Sequence, residues 1–546
     1  MTAFQVAKAG VSAWESPAAG AGLPAAPVQV SLRLDGLLVG RGVGLPGEEG
    51  EPLGLALAEA MRTAEERMPL PNDATRGRVL ASLRERLTLS VEIAREIVPL
   101  APEALAEATL LLSPGVEGVA VRQGEEMLVM FPSMFIEQDR SPSLALRGLV
   151  GKLAGDPTLG LKTLEELQRD HGFAFYKFQS LHLAQLDVGG QPEFLHRSGR
   201  VVSQGAFTSA YLQNWAEMLA SHLLVQDGGR VVGSLDPRTG EREPANVAQQ
   251  ALIAWALLEH AELAGEAEQA RIRSAVTAMA RRAAADVRSE SAKNPDVAGL
   301  WLGVLAMLAT DNEPALSELR SAVRTQAVAW AEREAGAAPP AGAPLAWGLA
   351  MAADRGDAGT RELARQLSRD LLGKIEPGQL VAHMPFLGDA LVLTAEADPL
   401  TAGVAPLRQM RAMVWANQVT HAEAGAFNAD LVGGITFTKG GSPLPSWHSA
   451  RPLATAAAML GDTRFTPEGE FASEFGHLLS GLRFLRQLTA DEWVVHMYPG
   501  AERARGGVRA ALWDQRMPAE ATALTLLAVN RTRDALRALA AKRAGE

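Results

Sequence analysis

The chain is 546 residues long, 47% apolar and 21% charged, with a net charge of −11 and no cysteine. That composition suits two or three globular domains and excludes disulfides, thiolate metal sites and a cysteine nucleophile. It offers no basic excess for nucleic acid or an anionic membrane. No run reaches 18 apolar residues, and the N-terminal stretch has no continuous apolar core, so neither a membrane span nor a signal peptide is expected and a cytoplasmic protein is the default.

Up to about residue 190, helical and strand patterns alternate. "PVQVSLRLDGLLVG" alternates apolar residues at period two and predicts a strand pair; "EPLGLALAEAMRTAEER" predicts an amphipathic helix. "RGRVLASLRERLTLSVEIAREIVPL" joins a turn of helix to a strand, and "GVEGVAVRQGEEMLVMFPSMF" predicts a hairpin turning at Gln123-Gly124. A helix over "SPSLALRGLVGKLAG" and a closing strand over "FAFYKFQSLHLAQL" complete an α+β domain over residues 25–190, after a flexible N-terminus at 1–24. Gly40, Gly42 and Gly44 are expected to permit a tight path with positive φ rather than to cradle a phosphate, because no βαβ unit surrounds them.

The order of these pieces, with "DGLLVGRGVG", "EPLGLALAEA…EERMPL" and "LSPGVEGVAVRQG…MLVMFPSMF", resembles the AMMECR-type domain over residues 25–187. The resemblance implies a small α+β fold.

From about residue 200 the pattern is almost wholly helical. Apolar periodicity predicts twelve helices, near 206–225, 245–264, 266–290, 296–310, 313–334, 343–354, 357–374, 382–397, 401–417, 449–461, 467–487 and 517–543. Twelve is the number that six helical hairpins need. Three polar stretches interrupt the helices: "LVQDGGRVVGSLDPRTGEREPANVAQQ", "FNADLVGGITFTKGGSPLPSWHSA" and "GGVRAALWDQRMPAEA". On those stretches, residues 200–546 resemble the (α/α)6 toroids of six-hairpin glycosidases and related epimerases and lyases. The fold expected of the whole is thus an N-terminal α+β domain followed by an all-α (α/α)6 toroid.

Sugar chemistry needs carboxylates facing one site and aromatic rings to stack on the sugar. The loops supply Asp236, Asp430 and Asp514 as candidate catalytic carboxylates and His448 as a candidate acid or base. Trp447, Trp493, Tyr498, Trp513 and Arg516 are the candidate binding residues. Asp227, Glu241, Glu243, His421, Glu423, Lys439, His496, Arg505 and Arg509 share these loops. Each has a plainer reading: "DPRTG" as a turn, Asp430 as a local cap, Asp514 as a partner for Arg516, and Trp447-His448 as packing before a helix. Trp215, Trp255, Trp301 and Trp347 lie amid Ala and Leu and are expected in the core. The histidines show no two-ligand spacing, and no P-loop or G-x-S-x-G elbow occurs, so no metal and no cofactor is expected.

Two functions follow. One is a toroid that binds or processes a saccharide at its rim, as a hydrolase, epimerase or lyase. The other is a non-catalytic binding or scaffold protein: in the toroids this half resembles, an acid and a Gln-His pair follow the positions of Asp514 and Arg516, and here they are replaced, with Glu520 nearby. A weaker third is an isoprenoid- or lipid-binding toroid. Two carboxylates about 5–10 Å apart in an open centre would favour an enzyme; a centre filled by Leu and Trp would favour a scaffold.

Overall fold

A computed structural model describes residues 2–15, 25–47, 49–68, 75–100, 112–203, 205, 207–309, 313–334, 342–395, 404–436 and 444–545. Lys439 lies outside them.

Residues 2–13, expected to be flexible, form helix α1 (Thr2–Ala13), which buries Phe4, Ala7 and Val11. Strands β1 (Val28–Leu34) and β2 (Leu37–Gly44) make the predicted hairpin, and helix α2 (Pro52–Arg67) packs across both. Helix α3 (Arg76–Arg84) leads into β3 (Leu87–Pro99); β4 (Glu117–Gln123) and β5 (Glu126–Met130) form the second hairpin. Helices α4 (Pro132–Gln138), α5 (Pro142–Ala154) and α6 (Leu164–His171) precede β6 (Phe173–Ala184) and the short β7 (Glu193–Leu195). The sheet order is β2-β1-β3-β6-β4-β5, with β7 paired to β6. The strand expected to close the domain therefore lies in its middle, between β3 and β4.

The glycines of β2 correct the expected positive φ, which none of the three adopts. They stand on one face of an extended strand, as alternation requires. A Cβ at Gly40, Gly42 or Gly44 would lie 2.2, 2.1 and 1.9 Å from the carbonyl oxygens of Ala60, Ala56 and Pro52. The three carbonyls repeat every four residues along α2, so glycine at every second strand position lets helix and strand backbones touch.

The sheet has two unlike faces. Val28, Val30, Leu32, Leu89 and Val91 form a core with α1 and α2. The alternate residues Gln29, Ser31, Arg33 and Glu92 are polar yet buried.

The second half is a closed toroid. Inner helices α8 (Val247–Leu263), α10 (Pro295–Met307), α12 (Ala343–Asp354), α14 (Phe386–Thr394), α16 (Ala450–Leu460) and α18 (Ala519–Gly545) each touch the next, and α18 closes on α8. Outer helices α7 (Ser209–Leu223), α9 (Glu266–Ser291), α11 (Pro314–Glu334), α13 (Arg361–Lys374), α15 (Val404–Ala416) and α17 (Phe471–Leu488) alternate with them along the chain. The pattern explains the sorting. Val297–Met307 is buried at every position in α10, as an inner helix enclosed on all sides requires, whereas α13 buries Ala364, Leu367 and Leu371 along one stripe. Trp215, Trp255, Trp301 and Trp347 are all in the core. Among the described residues no helix is long and apolar enough to cross a membrane.

The two domains dock directly. Ile136 of α4 packs among Leu235, Val494, Met497 and Tyr498 of the toroid. Arg33 donates to the Met497 carbonyl at 3.4 Å, and the connecting chain is held by Gln487 and Arg483 of α17, which bond the Val202 N–H at 2.7 Å and its carbonyl at 2.8 Å.

Candidate functional site

Each of the three polar loops follows an outer helix and precedes an inner one, so all three emerge at the same end of the toroid. Hydrogen bonds tie them together. The first forms strands β8 (Gln226–Asp227), β9 (Arg230–Asp236) and β10 (Glu241–Pro244); in the third, β11 (Met517–Pro518) pairs with β9 at Leu235 and Ser234. The second loop joins the third where the Trp447 N–H donates to the Ala510 carbonyl at 3.1 Å.

Within that end the candidates separate. Asp514 accepts the Arg516 backbone N–H at 3.1 Å and its guanidinium at 2.9 Å, inside a turn closed by Ala510 N–H to the Arg516 carbonyl at 2.7 Å. Arg516 is exposed. Asp236 does the same for Arg238, accepting its backbone N–H at 2.9 Å and its side chain. Asp430 is fully buried and pairs with Arg197 of the connecting chain, with His196 at 3.5 Å. Burial alone would raise its carboxyl; Arg197 and His196 override that and bring it down to about 2. Tyr498 is buried, its hydroxyl bonded to Gln515, which also takes Arg509 at 3.3 Å. Trp493 lies under the Arg486 guanidinium, 4.2 Å from its ring centre, and Trp513 packs against the helical core. Asp236, Asp430 and Asp514 are thus each held by an arginine.

A different set meets at the mouth. Trp447 is half-buried and packs at a 32° tilt against His448, with ring centroids 4.0 Å apart. The Arg451 guanidinium stands 5.6 Å from the Trp447 ring and is attracted by Glu520; burial lowers its pKa and Glu520 opposes that. Glu520 accepts from the Gln249 amide at 3.2 Å. Burial and the Arg451 charge lower both His448 and His383, keeping the imidazoles neutral at neutral pH. Gln249, Arg451 and Glu520 lie in the first turns of α8, α16 and α18. Sequence reasoning looked to the loops and missed Gln249, Arg451 and His383. For Gln249 and Arg451 the usable signal was a polar residue in the first turn of an inner helix.

Aromatic rings of three inner helices, α8, α12 and α14, pack on one another. Trp255 and Trp347 lie 4.2 Å apart, with Phe386 5.5 and 6.1 Å from them. Beside them Arg531 of α18 holds two carboxylates, Glu259 of α8 at 2.8 Å and Asp389 of α14 at 2.6 Å. Burial raises the Asp389 carboxyl to about 6, opposed by Arg531. The pair of inner carboxylates exists, but one cation occupies both.

No family model matches the sequence, and no curated protein matches it. Among solved structures, the alpha-1,6-mannanase GH76A of Salegentibacter sp. HEL1_6 is similar at 11% identity, covering 59% of this chain and 99% of the mannanase, with a TM-score of 0.42. An inactive variant of that enzyme in complex with alpha-1,6-mannotetrose gives the same figures. An uncharacterized protein from Pyrococcus horikoshii is similar at 14% identity over 35% of this chain and 92% of its own, with a TM-score of 0.27.

Proposed function

We propose that this protein binds a saccharide at the mouth of its toroid, and does so without hydrolysing it. The observation that supports the reading is the contiguous set Trp447, Arg451, Glu520 and Gln249: an aromatic face beside a guanidinium, a carboxylate and an amide. An apolar ring face offers the C–H side of a sugar a stacking platform, while convergent donors and acceptors take its hydroxyls. A glycosidase needs one carboxyl to protonate the leaving oxygen and a second to act on the opposite face. Asp236, Asp430 and Asp514 are each ion-paired, and Glu259 and Asp389 share Arg531. Glu520 alone does not make such a pair. The N-terminal half we read as a divergent AMMECR-type domain, on the order of its elements.

The test is titration calorimetry of the full chain against a panel of neutral oligosaccharides. A ligand is expected, and Trp447→Ala and Glu520→Gln should each weaken it about tenfold or more, a loss of roughly 1.4 kcal/mol. If no saccharide binds, the second reading stands: a scaffold, favoured by the packing of Trp255, Trp347 and Phe386 on one another; if both variants bind as the parent does, the assignment of this set as the binding site is overturned.

A further inference from the structure

The polar face of the N-terminal sheet carries a cluster that the toroid does not use. Ser90 and Glu92 are two residues apart on β3, hence on one face, and His182 of β6 is directly opposite Glu92. Ser90 Oγ lies 2.6 Å from His182 Nε2, and His182 Nδ1 lies 3.8 Å from Glu92 Oε1. Glu92 is fixed in turn: Oε1 accepts the Ser180 hydroxyl at 3.0 Å, and Oε2 accepts the Gln29 amide at 3.1 Å and the Ser133 hydroxyl. Glu92 and His182 are buried and Ser90 is half-buried, so the outermost member of the three is the hydroxyl.

This is the order of roles that an activated serine needs: a hydroxyl bonded to an imidazole, whose other nitrogen faces a buried carboxylate. Burial lowers His182 below the usual histidine range, Glu92 opposes that and Arg33 adds to it, so the imidazole is neutral at neutral pH and Glu92 favours the protonated form that a base must become. Ser31 stands opposite Ser90, and Arg41 opposite Ser31, bonding its hydroxyl at 3.5 Å while pairing with Glu137 of α4.

We propose that Ser90, His182 and Glu92 form a nucleophilic triad that cleaves small carboxylic esters, an activity separate from the toroid. Ser90 Oγ bonds to the acyl carbon as its proton passes to His182 Nε2; the C–O bond to the alcohol breaks and the alcohol leaves with that proton. Water then adds to the acyl carbon, giving a proton to His182, and the acid departs as Ser90 regains it. Glu92 is a positioning residue that acts on the imidazole by its charge, 3.8 Å from Nδ1. The half-buried hydroxyl restricts the substrate to small acyl groups.

The full chain is treated with a fluorophosphonate probe and peptide-mapped, and p-nitrophenyl acetate hydrolysis is followed from pH 5 to 9. The label is expected on Ser90, and Ser90→Ala should lower turnover roughly a hundredfold or more. A label elsewhere, or equal turnover in Ser90→Ala, overturns the proposal. Glu92→Gln should lower kcat and displace the pH profile; a change in melting temperature alone would make Glu92 merely structural. Because the chain has no cysteine, Ser90→Cys introduces its sole thiol. Iodoacetamide should alkylate it faster at pH 7 than in Ser90→Cys with His182→Gln, and equal rates would overturn the assignment of His182 as base.

Discussion

Arg197 and Asp430 meet across the domain junction with side-chain exposures of 1% and 0%. Arg197 also donates to the Pro114 carbonyl at 2.8 Å, so one guanidinium ties the α+β domain, the connecting chain and the second toroid loop together. Removing either partner leaves the other as a buried, uncompensated charge, at a cost of about 3–5 kcal/mol. Asp430→Asn and Arg197→Met are therefore expected to shift the urea midpoint down strongly. The pH dependence has a definite sign. The folded-state pKa of Asp430, about 2, is below its unfolded value, so its contribution is complete above about pH 4 and is lost as pH falls through about 2. Urea melts between pH 5 and pH 2 should show a loss that Asp430→Asn lacks.

Gly36 gives a second test of the docking. It has φ +82°, and a Cβ there would lie 2.1 Å from the Tyr498 carbonyl oxygen. Gly36→Ala meets both a strained backbone and a backbone collision, and about 1–3 kcal/mol is expected from the conformation alone. Since the collision lies between the domains, calorimetry should show the parent's unfolding separating into two transitions. An unchanged melting profile would mean that the hairpin turn does not hold the domains together.

Asp514 is the contrasting case. Its partner Arg516 is 59% exposed at the side chain and is only two residues away, so the pair resembles a surface ion pair, worth roughly 0–1 kcal/mol. Asp514→Asn should change stability by less than about 1 kcal/mol and leave saccharide affinity at the mouth unaltered. A loss of binding on calorimetric titration would return Asp514 to the site.

What was legible in the sequence follows from periodicity. The inner helices read as continuous apolar runs and the outer ones as stripes, because enclosure on all sides and burial on one side impose those patterns. The three loops were legible as polar breaks in that pattern. The role of each loop residue was not. Nothing local tells that Asp430 meets Arg197, 233 residues away, or that Gln515, beside Asp514, turns inward to Tyr498. The glycines of β2 were visible as a pattern, but their cause was a helix whose approach no strand pattern encodes. The polar face of the N-terminal sheet was legible as alternation; that α4 covers part of it, through Ser133 and Glu137, was not.

Arg531 supplies the sharpest test of the inner-helix packing. It joins Glu259 and Asp389, which have 17% and 6% side-chain exposure, and its guanidinium lies 5.3 Å from the Trp255 ring centre. Arg531→Met retains much of the apolar stem but leaves two neighbouring carboxylates with no shared cation. A loss of about 3–5 kcal/mol is expected near neutral pH. Like charges in a buried site raise carboxyl pKa values, so in this variant the folded state should hold protons that the unfolded chain has already released. Its stability is then highest near pH 4 and falls as pH rises through the raised pKa, the opposite sign from Asp430. Adding Glu259→Gln and Asp389→Asn removes both charges and should restore most of the loss, flattening the pH dependence. If Arg531→Met is as stable as the parent at pH 8, the two carboxylates are solvated, and the argument against a hydrolytic pair among the inner helices fails.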